Sequence, residues 1–341
     1  MSNRILVVAP ESLEQLLWCH GLLRQLRLQA PRAEIDLLAA GRFQALVTLM
    51  PEVTNFIARP VPAGQWRPEA RWQLAQHIRQ RGYQQAFVCP DDLPSALVPW
   101  LAGIPLRTGW LGRMRYFLLN DPRRFDSRRM ALHQRYTALA ADAGTVSPAG
   151  LLPQLQWSGE QRQALLRECG LQPEKLVALC PRADSDDWPE ESVTETALLL
   201  LEAGWQVIYL GCAEDAEVIA SELDEPLAAH FCDLSGRHQD NRHLSNTDML
   251  WTQALLLSAC EVACGDDPDS MLLAASVGIA CLPCSDTTAE QLSFFGAGDK
   301  ATAAPDGLTG SSDCDDGWVD RRAFHTLTPS QLADHVQRVW G

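Results

Sequence analysis

Residues 95–121 read SALVPWLAGIPLRTGWLGRMRYFLLND. Within this stretch, the short apolar run 106–109 predicts a buried strand. Similar runs occur on both sides of it, separated by segments in which apolar residues recur at helical spacing. The other predicted strands are 5–9, 35–39, 56–60, 85–89, 176–180, 206–210, 231–234, 261–264 and 279–283.

Helical patterns lie between these strands. Residues 13–28 carry apolar side chains at spacings of three and four, which predicts an amphipathic helix, and 193–203 and 248–259 are predicted helices of the second half. Alternating strands and helices favour an α/β fold with parallel sheets covered by helices on both faces.

A cluster of Pro, Gly and Ser in residues 145–159 marks a domain break. We therefore predict two doubly wound, Rossmann-like domains, 1–150 and 151–328, followed by a helix in 329–341 that packs back on the first domain. Ligands of such sheets bind beyond the carboxyl ends of the strands. The expected site is a cleft between the two domains.

The composition excludes several classes of protein. Of 341 residues, 46% are hydrophobic and 21% charged, which is typical of a globular protein, and no apolar run is long enough for a membrane span. The first residues do not resemble a signal peptide, so we expect a cytoplasmic protein whose eleven cysteines are reduced. Four of them allow either a zinc site or small buried hydrophobes: Cys260, Cys264, Cys281 and Cys284.

The two halves carry opposite charges. Residues 1–150 contain 18 arginines, no lysine and 11 acidic residues, a formal charge of +7, whereas 151–341 contain 10 basic and 32 acidic residues, a charge of −22. Arginines are concentrated in 113–135, which indicates either a solvated surface or a binding site for an anionic partner. Nucleic acid is not the expected partner, because the whole chain is acidic and lacks a recognisable module of stacking aromatics.

Several motifs together resemble a known family. In the first half they are ILVVAP at 5–10, MPEV at 50–53, and AGIP, RTGW and MRYxLLND within 95–121. In the second half they are LGCAED at 210–215, LSG at 234–236, LLLSAC at 255–260 and AAS at 274–276. With these motifs, nearly the whole chain resembles glycosyltransferase family 9, whose members have the GT-B architecture of two Rossmann-like domains.

The resemblance implies a reaction and its partners. Family members transfer heptose from ADP-heptose to the inner core of lipopolysaccharide, with inversion at the sugar carbon. It implies that the first domain binds the anionic lipid acceptor, in peripheral contact with the inner membrane, and that the second binds the nucleotide sugar, with Gly211 in the donor site. No cofactor is expected. Candidate acceptor-binding residues are Arg113, Arg115, Arg123 and Arg124.

The family's general base is not kept in this sequence. The family has an Asp in a Gly-Asp pair that opens the first helix, and here Glu14 and Gln15 occupy the two positions. An amide cannot accept a proton at neutral pH, so Gln15 is predicted to be inactive. Glu14 or Glu11 remains as a substitute base from a shifted position.

The loop after the first strand of the second domain also departs from the family, which has a Lys-Arg-Trp-Pro ending with the Lys facing the donor phosphates. Here residues 181–189 read PRADSDDWP, so Asp186 and Asp187 replace the basic pair while Trp188 and Pro189 are kept. Arg182, at the other end of the loop, is the candidate cation for the diphosphate.

The third departure is in the family's Asp-(Ser/Thr)-Gly-x-x-His element, which places helix amides at a phosphate. The matching run is GDDPDSMLLAAS, in which Asp267 matches the Asp and Pro268, Asp269 and Leu272 replace the other positions. The aspartates, with Asp266, are predicted to cap the helix; a cation site, for example for Mg²⁺, is the alternative.

Three hypotheses therefore remain open. The chain is a family 9 protein whose transfer activity is lost or altered and which serves in binding or assembly, or an active transferase with relocated catalytic residues or another donor. The third hypothesis is small-molecule or metal binding through the aspartates or the cysteines.

Overall fold

A computed structural model describes residues 3–60, 67–112, 115–124, 132–141, 151–235, 249–295 and 327–341. The chain divides into two compact units, Met1–Gln156 and Trp157–Gly341. The boundary lies within the predicted break, six residues later than the position expected from the sequence. None of the described helices is long and apolar enough to cross a membrane.

The described part of the first unit is built on one parallel sheet, which is six-stranded, in the order β3-β2-β1-β4-β5-β6. Its strands are β1 (Arg4–Val8), β2 (Glu34–Ala40), β3 (Asn55–Arg59), β4 (Gln85–Val88), β5 (Leu106–Trp110) and β6 (Asp121–Arg123). Its helices are α1 (Leu13–Gln29), α2 (Gln44–Val47), α3 (Pro68–Gln80), α4 (Leu93–Leu101) and α5 (Leu132–Thr137). The five strands predicted in this half and the first helix are confirmed, whereas β6 was not predicted.

Helices cover both faces of this sheet. Leu6, Val8 and Val88 pack in one buried cluster with residues of α3 and α4. The alternate residues Ile5 and Val7 are equally buried and point to the opposite face, because successive side chains of a strand alternate. Burial on both faces explains why these strands are continuous apolar runs.

The described part of the second unit holds a five-stranded parallel sheet in the order β11-β10-β7-β8-β9. Its strands are β7 (Leu176–Cys180), β8 (Gln206–Tyr209), β9 (Phe231–Asp233), β10 (Val262–Gly265) and β11 (Ala280–Pro283). Its helices are α6 (Gly159–Glu168), α7 (Glu190–Glu202), α8 (Ala213–Glu222), α9 (Glu225–Ala228), α10 (Met249–Leu257), α11 (Pro268–Ser276), α12 (Asp286–Leu292) and α13 (Pro329–Trp340). All five strands predicted in this half are present.

The last helix corrects one prediction. We expected α13 to pack back on the first domain, but its buried residues Leu332, Ala333 and Val336 belong to the core of the second unit. There they pack with the buried residues of α7, and Trp205 Nε1 donates a hydrogen bond to Gln337 at 2.6 Å. The apolar stripe of α13 is therefore satisfied within its own unit.

Candidate functional site

Each sheet reverses its strand order at one point, and ligands of doubly wound sheets bind there, beyond the carboxyl ends of the strands. We define the first switch point as the carboxyl ends of β1 and β4 with residues 9–12 and 89–92. The second switch point is the carboxyl ends of β7 and β10 with residues 181–189 and 266–267. The three segments that depart from the family pattern all begin at these two points.

The start of α1 places the two residues that stand where the family has Gly and Asp. Ser12 is the N-cap, and its hydroxyl oxygen accepts a hydrogen bond from the Gln15 backbone N–H at 3.3 Å. Leu13 and Leu16 face the core, whereas Glu14 and Gln15 are half-buried in the first turn. Gln15 thus lies in the first turn of α1, and its assignment to the position of the family base, like the role of Glu14 as a base, stays a prediction.

The other candidate base, Glu11, is part of an ion pair. Its carboxylate lies 2.5 Å from Nη1 of Arg59, whose Nη2 donates to the carbonyl oxygen of Ala9, and Arg42 donates to the carbonyl oxygen of Glu11 itself. The Arg59 side chain is only 6% exposed. Burial lowers the pKa of this guanidinium and the Glu11 charge opposes that shift. Glu11 therefore neutralises a buried arginine that fixes the loop.

The predicted acceptor-binding arginines have different positions. Arg115 is buried, and its guanidinium donates to the carbonyl oxygens of Pro90 at 2.6 Å and Trp110 at 2.5 Å. Arg123 pairs with Asp121 at 2.9 Å, and Arg124 is exposed. Arg113 lies outside the described residues. Arg115 thus ties the loop after β4 to the end of β5, a structural role that the sequence did not indicate.

At the second switch point, β7 and β10 end in register, and Cys180 pairs with Gly265. The backbone N–H groups of Asp266 and Asp267 both donate to the carbonyl oxygen of Cys180, at 3.2 and 3.1 Å. A Cβ atom on Gly265 would lie 2.2 Å from that same oxygen. Only glycine permits this close approach of the two strand ends.

Asp266 is the residue of this site that the sequence did not single out from its neighbours. Its side chain is fully buried, and Oδ1 accepts a hydrogen bond from the Arg182 backbone N–H at 2.7 Å. Its carbonyl oxygen accepts from the Thr288 hydroxyl at 2.9 Å. Burial raises the pKa of the Asp266 carboxyl, although the hydrogen bond from Arg182 acts in the opposite direction. Asp266 therefore links the loops after β7 and β10.

The other two aspartates lie at the start of α11. Asp267 is the N-cap and accepts a hydrogen bond from the Ser270 backbone N–H at 2.8 Å, so the predicted capping is confirmed. Pro268, the first helical residue, has no N–H to offer, and Asp269 adds negative charge to the first turn. A carboxylate thus binds where this helix would present amides to a phosphate, and donor binding by Asp267 stays a prediction.

The loop after β7 exposes both signs of charge. Trp188 is buried in the core of the unit and anchors the end of the loop, while Asp186, Asp187 and Arg182 are exposed. The Arg182 guanidinium lies 3.4 Å from the Ser185 hydroxyl oxygen. Arg182 is therefore exposed at the second switch point, in one loop with three exposed carboxylates, those of Asp184, Asp186 and Asp187, and its role at the donor diphosphate stays a prediction.

Gly211 follows β8 and packs tightly against the same loop. A Cβ atom there would lie 2.2 Å from the Tyr209 hydroxyl oxygen and 2.6 Å from Cγ of Pro181. The glycine thus permits the loops after β7 and β8 to pack together. This packing is sufficient to explain a glycine at position 211, and its role in donor binding stays a prediction.

The cysteines behave as buried small side chains. The thiols of Cys260, Cys281 and Cys284 lie near backbone carbonyl oxygens at 3.4 to 3.9 Å, and burial raises their pKa, that of Cys281 to about 12. Within the described ranges, no three His, Cys, Asp or Glu side chains come together as a metal site. The zinc interpretation of Cys260, Cys264, Cys281 and Cys284, all of which are described, is therefore wrong.

The fold and its two switch points define the class of protein. Two doubly wound parallel sheets in one chain match the GT-B architecture of the glycosyltransferases. The model of glycosyltransferase family 9 (heptosyltransferase) matches residues 71–241. The chain belongs to this family.

Individual relatives are similar over most of the chain. Lipopolysaccharide heptosyltransferase 2 of Escherichia coli K12 is 34% identical over 288 residues, 80% of each protein. The protein of the same name from Salmonella typhimurium is 34% identical over 286 residues, also 80% of each. The structure of E. coli ADP-heptose lipopolysaccharide heptosyltransferase II superposes with a TM-score of 0.77 and 28% identity, covering 99% of this chain and 98% of that one.

Proposed function

We propose that this protein acts in the synthesis of the lipopolysaccharide inner core, at the cytoplasmic face of the inner membrane, and that its transfer of heptose from ADP-heptose is lost or altered. Membership of family 9 and the similarity to heptosyltransferases 2 of two bacteria support the pathway. The acceptor in this proposal is the anionic, lipid-anchored core, and the positively charged first half is its binding unit.

The charge of the second switch point carries the part of the proposal that concerns activity. In the described loops that follow β7, β8, β10 and β11, Arg182 is the single basic residue. Five aspartates occupy the same loops: Asp184, Asp186, Asp187, Asp266 and Asp267. A nucleotide diphosphate is itself an anion, and like charges at about 4 Å repel by about 1 kcal/mol even in water.

The first switch point supports the same conclusion. Inverting transfer needs a base to take the proton of the acceptor hydroxyl. Gln15 supplies none, and one of the two alternatives, Glu11, is held in the ion pair with Arg59. A protein of this kind retains the acceptor unit and contributes to binding or assembly of the core.

Calorimetry with ADP and with ADP-heptose tests the proposal directly. The E. coli heptosyltransferase 2 is the positive control in the same buffer, and a heptose-acceptor lipid is then supplied to both proteins. We expect binding and turnover for the control, and no turnover for this chain. Saturable binding of ADP-heptose followed by heptose transfer would overturn the proposed loss of activity.

An active transferase with another donor is the second candidate, and the exposed guanidinium of Arg182 at the second switch point favours it. In this case Glu14 is the base and Arg182 faces the donor phosphates. A thermal-unfolding screen of nucleotide sugars is the test, followed by Glu14→Ala, with Gln15→Ala as the matched control. If no nucleotide sugar raises Tm, this candidate fails; if one does, Glu14→Ala abolishes transfer and Gln15→Ala does not.

A further inference from the structure

Two adjacent aromatic side chains of the first unit are exposed to solvent. Tyr116 and Phe117 lie in the connection between β5 and β6, and each is 67% exposed. Their neighbours in sequence are buried: Arg115 is 1% exposed, Leu118 1% and Leu119 3%. Large apolar side chains that are exposed side by side, unlike ones scattered singly, are candidates for an interaction site.

The backbone on both sides of the pair is fixed. On one side, Arg115 holds the turn by the two hydrogen bonds to the carbonyl oxygens of Pro90 and Trp110. On the other side, Leu118 and Leu119 belong to the core cluster that includes residues of α3 and α4. The N–H groups of both leucines also donate to the Arg115 carbonyl oxygen, at 3.0 and 3.1 Å.

Further hydrogen bonds join this turn to the segment before β5. Asn120 accepts from the Arg107 backbone N–H at 2.7 Å and donates to the carbonyl oxygen of Pro105 at 2.6 Å. The Arg107 guanidinium donates to the Leu118 carbonyl oxygen at 2.6 Å. These bonds place the turn beside Leu106, itself 39% exposed. The two exposed rings therefore project from a base that hydrogen bonds and the core hold in place.

The charge around the pair identifies what covers it. In the described residues 106–112 and 115–124, three arginines are partly or fully exposed, Arg107, Arg123 and Arg124, and Asp121 is the one acidic residue, within a half of the chain that carries +7. Aromatic rings occupy the headgroup level of bilayers, and adjacent basic residues are attracted to anionic lipids. A partner with an apolar interior and an anionic surface matches both the exposed rings and the arginines.

We propose that the Tyr116–Phe117 turn is a membrane-docking surface, whose two rings enter the headgroup region of an anionic phospholipid bilayer while nearby arginines contact the phosphates. The inference deepens the proposed function by naming the surface that faces the membrane, but it requires neither sugar binding nor transfer. A second copy of this chain is the competing occupant.

Cosedimentation with vesicles tests the docking surface. The full chain is mixed with vesicles of phosphatidylethanolamine and phosphatidylglycerol, and separately with phosphatidylcholine vesicles. We expect binding to the anionic vesicles that weakens with salt, and a loss of roughly tenfold or more in the Tyr116→Ser, Phe117→Ser double variant. The matched control is Trp72→Ser, which removes an aromatic side chain of 52% exposure on α3 and should bind like the wild type.

Two outcomes would overturn the proposal. The first is equal binding of the wild type and the double variant, or no binding of the wild type to anionic vesicles. The second is a dimer seen by sedimentation velocity without vesicles, abolished in the double variant. Circular dichroism and Tm of the double variant establish that it folds. The vesicles contain no nucleotide sugar and no acceptor, so failure of the proposed function leaves this test intact.

Discussion

The first and second switch points have the same topology and are stabilised in different ways. At the first, arginines from several elements donate to backbone carbonyl oxygens; Arg59 and Arg115 are the clearest cases. At the second, a buried carboxylate, Asp266, accepts from the backbone N–H of the facing loop. Both solutions fix the loops, the first through buried guanidinium groups that pair with nearby carboxylates and the second through a buried carboxylate.

This difference distinguishes the residues that build the fold from the charged residues in its loops. Three features are compatible with a donor site of the family. They are the strand order of the sheets, the close packing of backbone at Gly265 and Gly211, and the burial of Trp188, which anchors the loop after β7. The charges at the second switch point differ from the family pattern, because Asp186 and Asp187 stand where the sequence resemblance places a basic pair. A family's fold can thus be kept while residues at the positions of its motifs differ.

The largest effect should come from removing the buried arginine of the first unit. Arg115→Ala leaves the carbonyl oxygens of Pro90 and Trp110 without their donor, and we expect a loss of about 3 kcal/mol in the free energy of unfolding. Chemical denaturation measures it, with the exposed Arg124→Ala as control, expected to change stability by less than about 0.5 kcal/mol. Equal effects of the two variants would show that Arg115 is not structural.

A smaller loss of stability is expected at the second switch point. In Gly265→Ala the new methyl group meets the Cys180 carbonyl oxygen, so β7 and β10 must move apart, at a cost of about 2 kcal/mol. Gly159→Ala in the same unit is the control, because no atom of the described residues lies within 4 Å of the place its new methyl group would take. Unchanged Tm in Gly265→Ala would contradict the tight approach of the strands.

Restoring the family's charges should alter ligand binding. In the Asp186→Lys, Asp187→Arg variant we expect the affinity for ADP to rise about tenfold, since four units of charge change in one loop. The control is Glu222→Lys with Glu225→Arg, an equal change at two exposed positions of the same unit. Calorimetry distinguishes them; an equal gain in both would indicate a general field effect instead of a local site.

The smallest effects concern pH, and they have opposite signs in the two units. Burial tends to raise the pKa of Glu52, but its hydrogen bond with His20, at 2.8 Å, and the coulombic interaction lower it overall. A depressed pKa stabilises the folded state above the unfolded pKa, so Glu52→Gln should cost about 1 kcal/mol at pH 7 and progressively less as the pH falls below about 4.

For Asp266 the sign is reversed. Its raised pKa means that the folded state binds the proton more tightly, so this group disfavours folding increasingly as the pH rises above about 4. Asp266→Asn keeps an oxygen for the Arg182 N–H and removes that penalty, so its stability relative to the wild type should improve between pH 4 and 7. Denaturation at several pH values compares the two variants; parallel pH profiles would contradict the difference.

Apolar runs were sufficient to predict ten strands, because the central strands of both sheets, such as β1 and β7, are buried on both faces; β3 and β9 are only partly buried. The apolar pattern failed for β6, whose three residues Asp121–Arg123 include a proline and two charged residues and pair only with β5. It also gave the wrong packing partner for α13, since the apolar face of a helix does not indicate which unit it packs against. The sequence located the three altered loops, but it did not single out Asp266 from the neighbouring Asp267 and Asp269. Only the folded structure shows that Asp266 is buried while the other two are partly exposed.

The path of the chain between the two units has a practical consequence. The Leu151 carbonyl oxygen would lie 2.1 Å from a Cβ atom on Gly21, Arg24 donates to the Leu152 carbonyl oxygen at 2.6 Å, and Gln156 N–H donates to Leu49 at 2.8 Å. The six residues 151–156 complete the surface of α1. A gene truncated after codon 150 would therefore express a first unit in which residues 151–156 no longer cover α1. A gene truncated after codon 156 should yield a first unit that can be purified and studied alone.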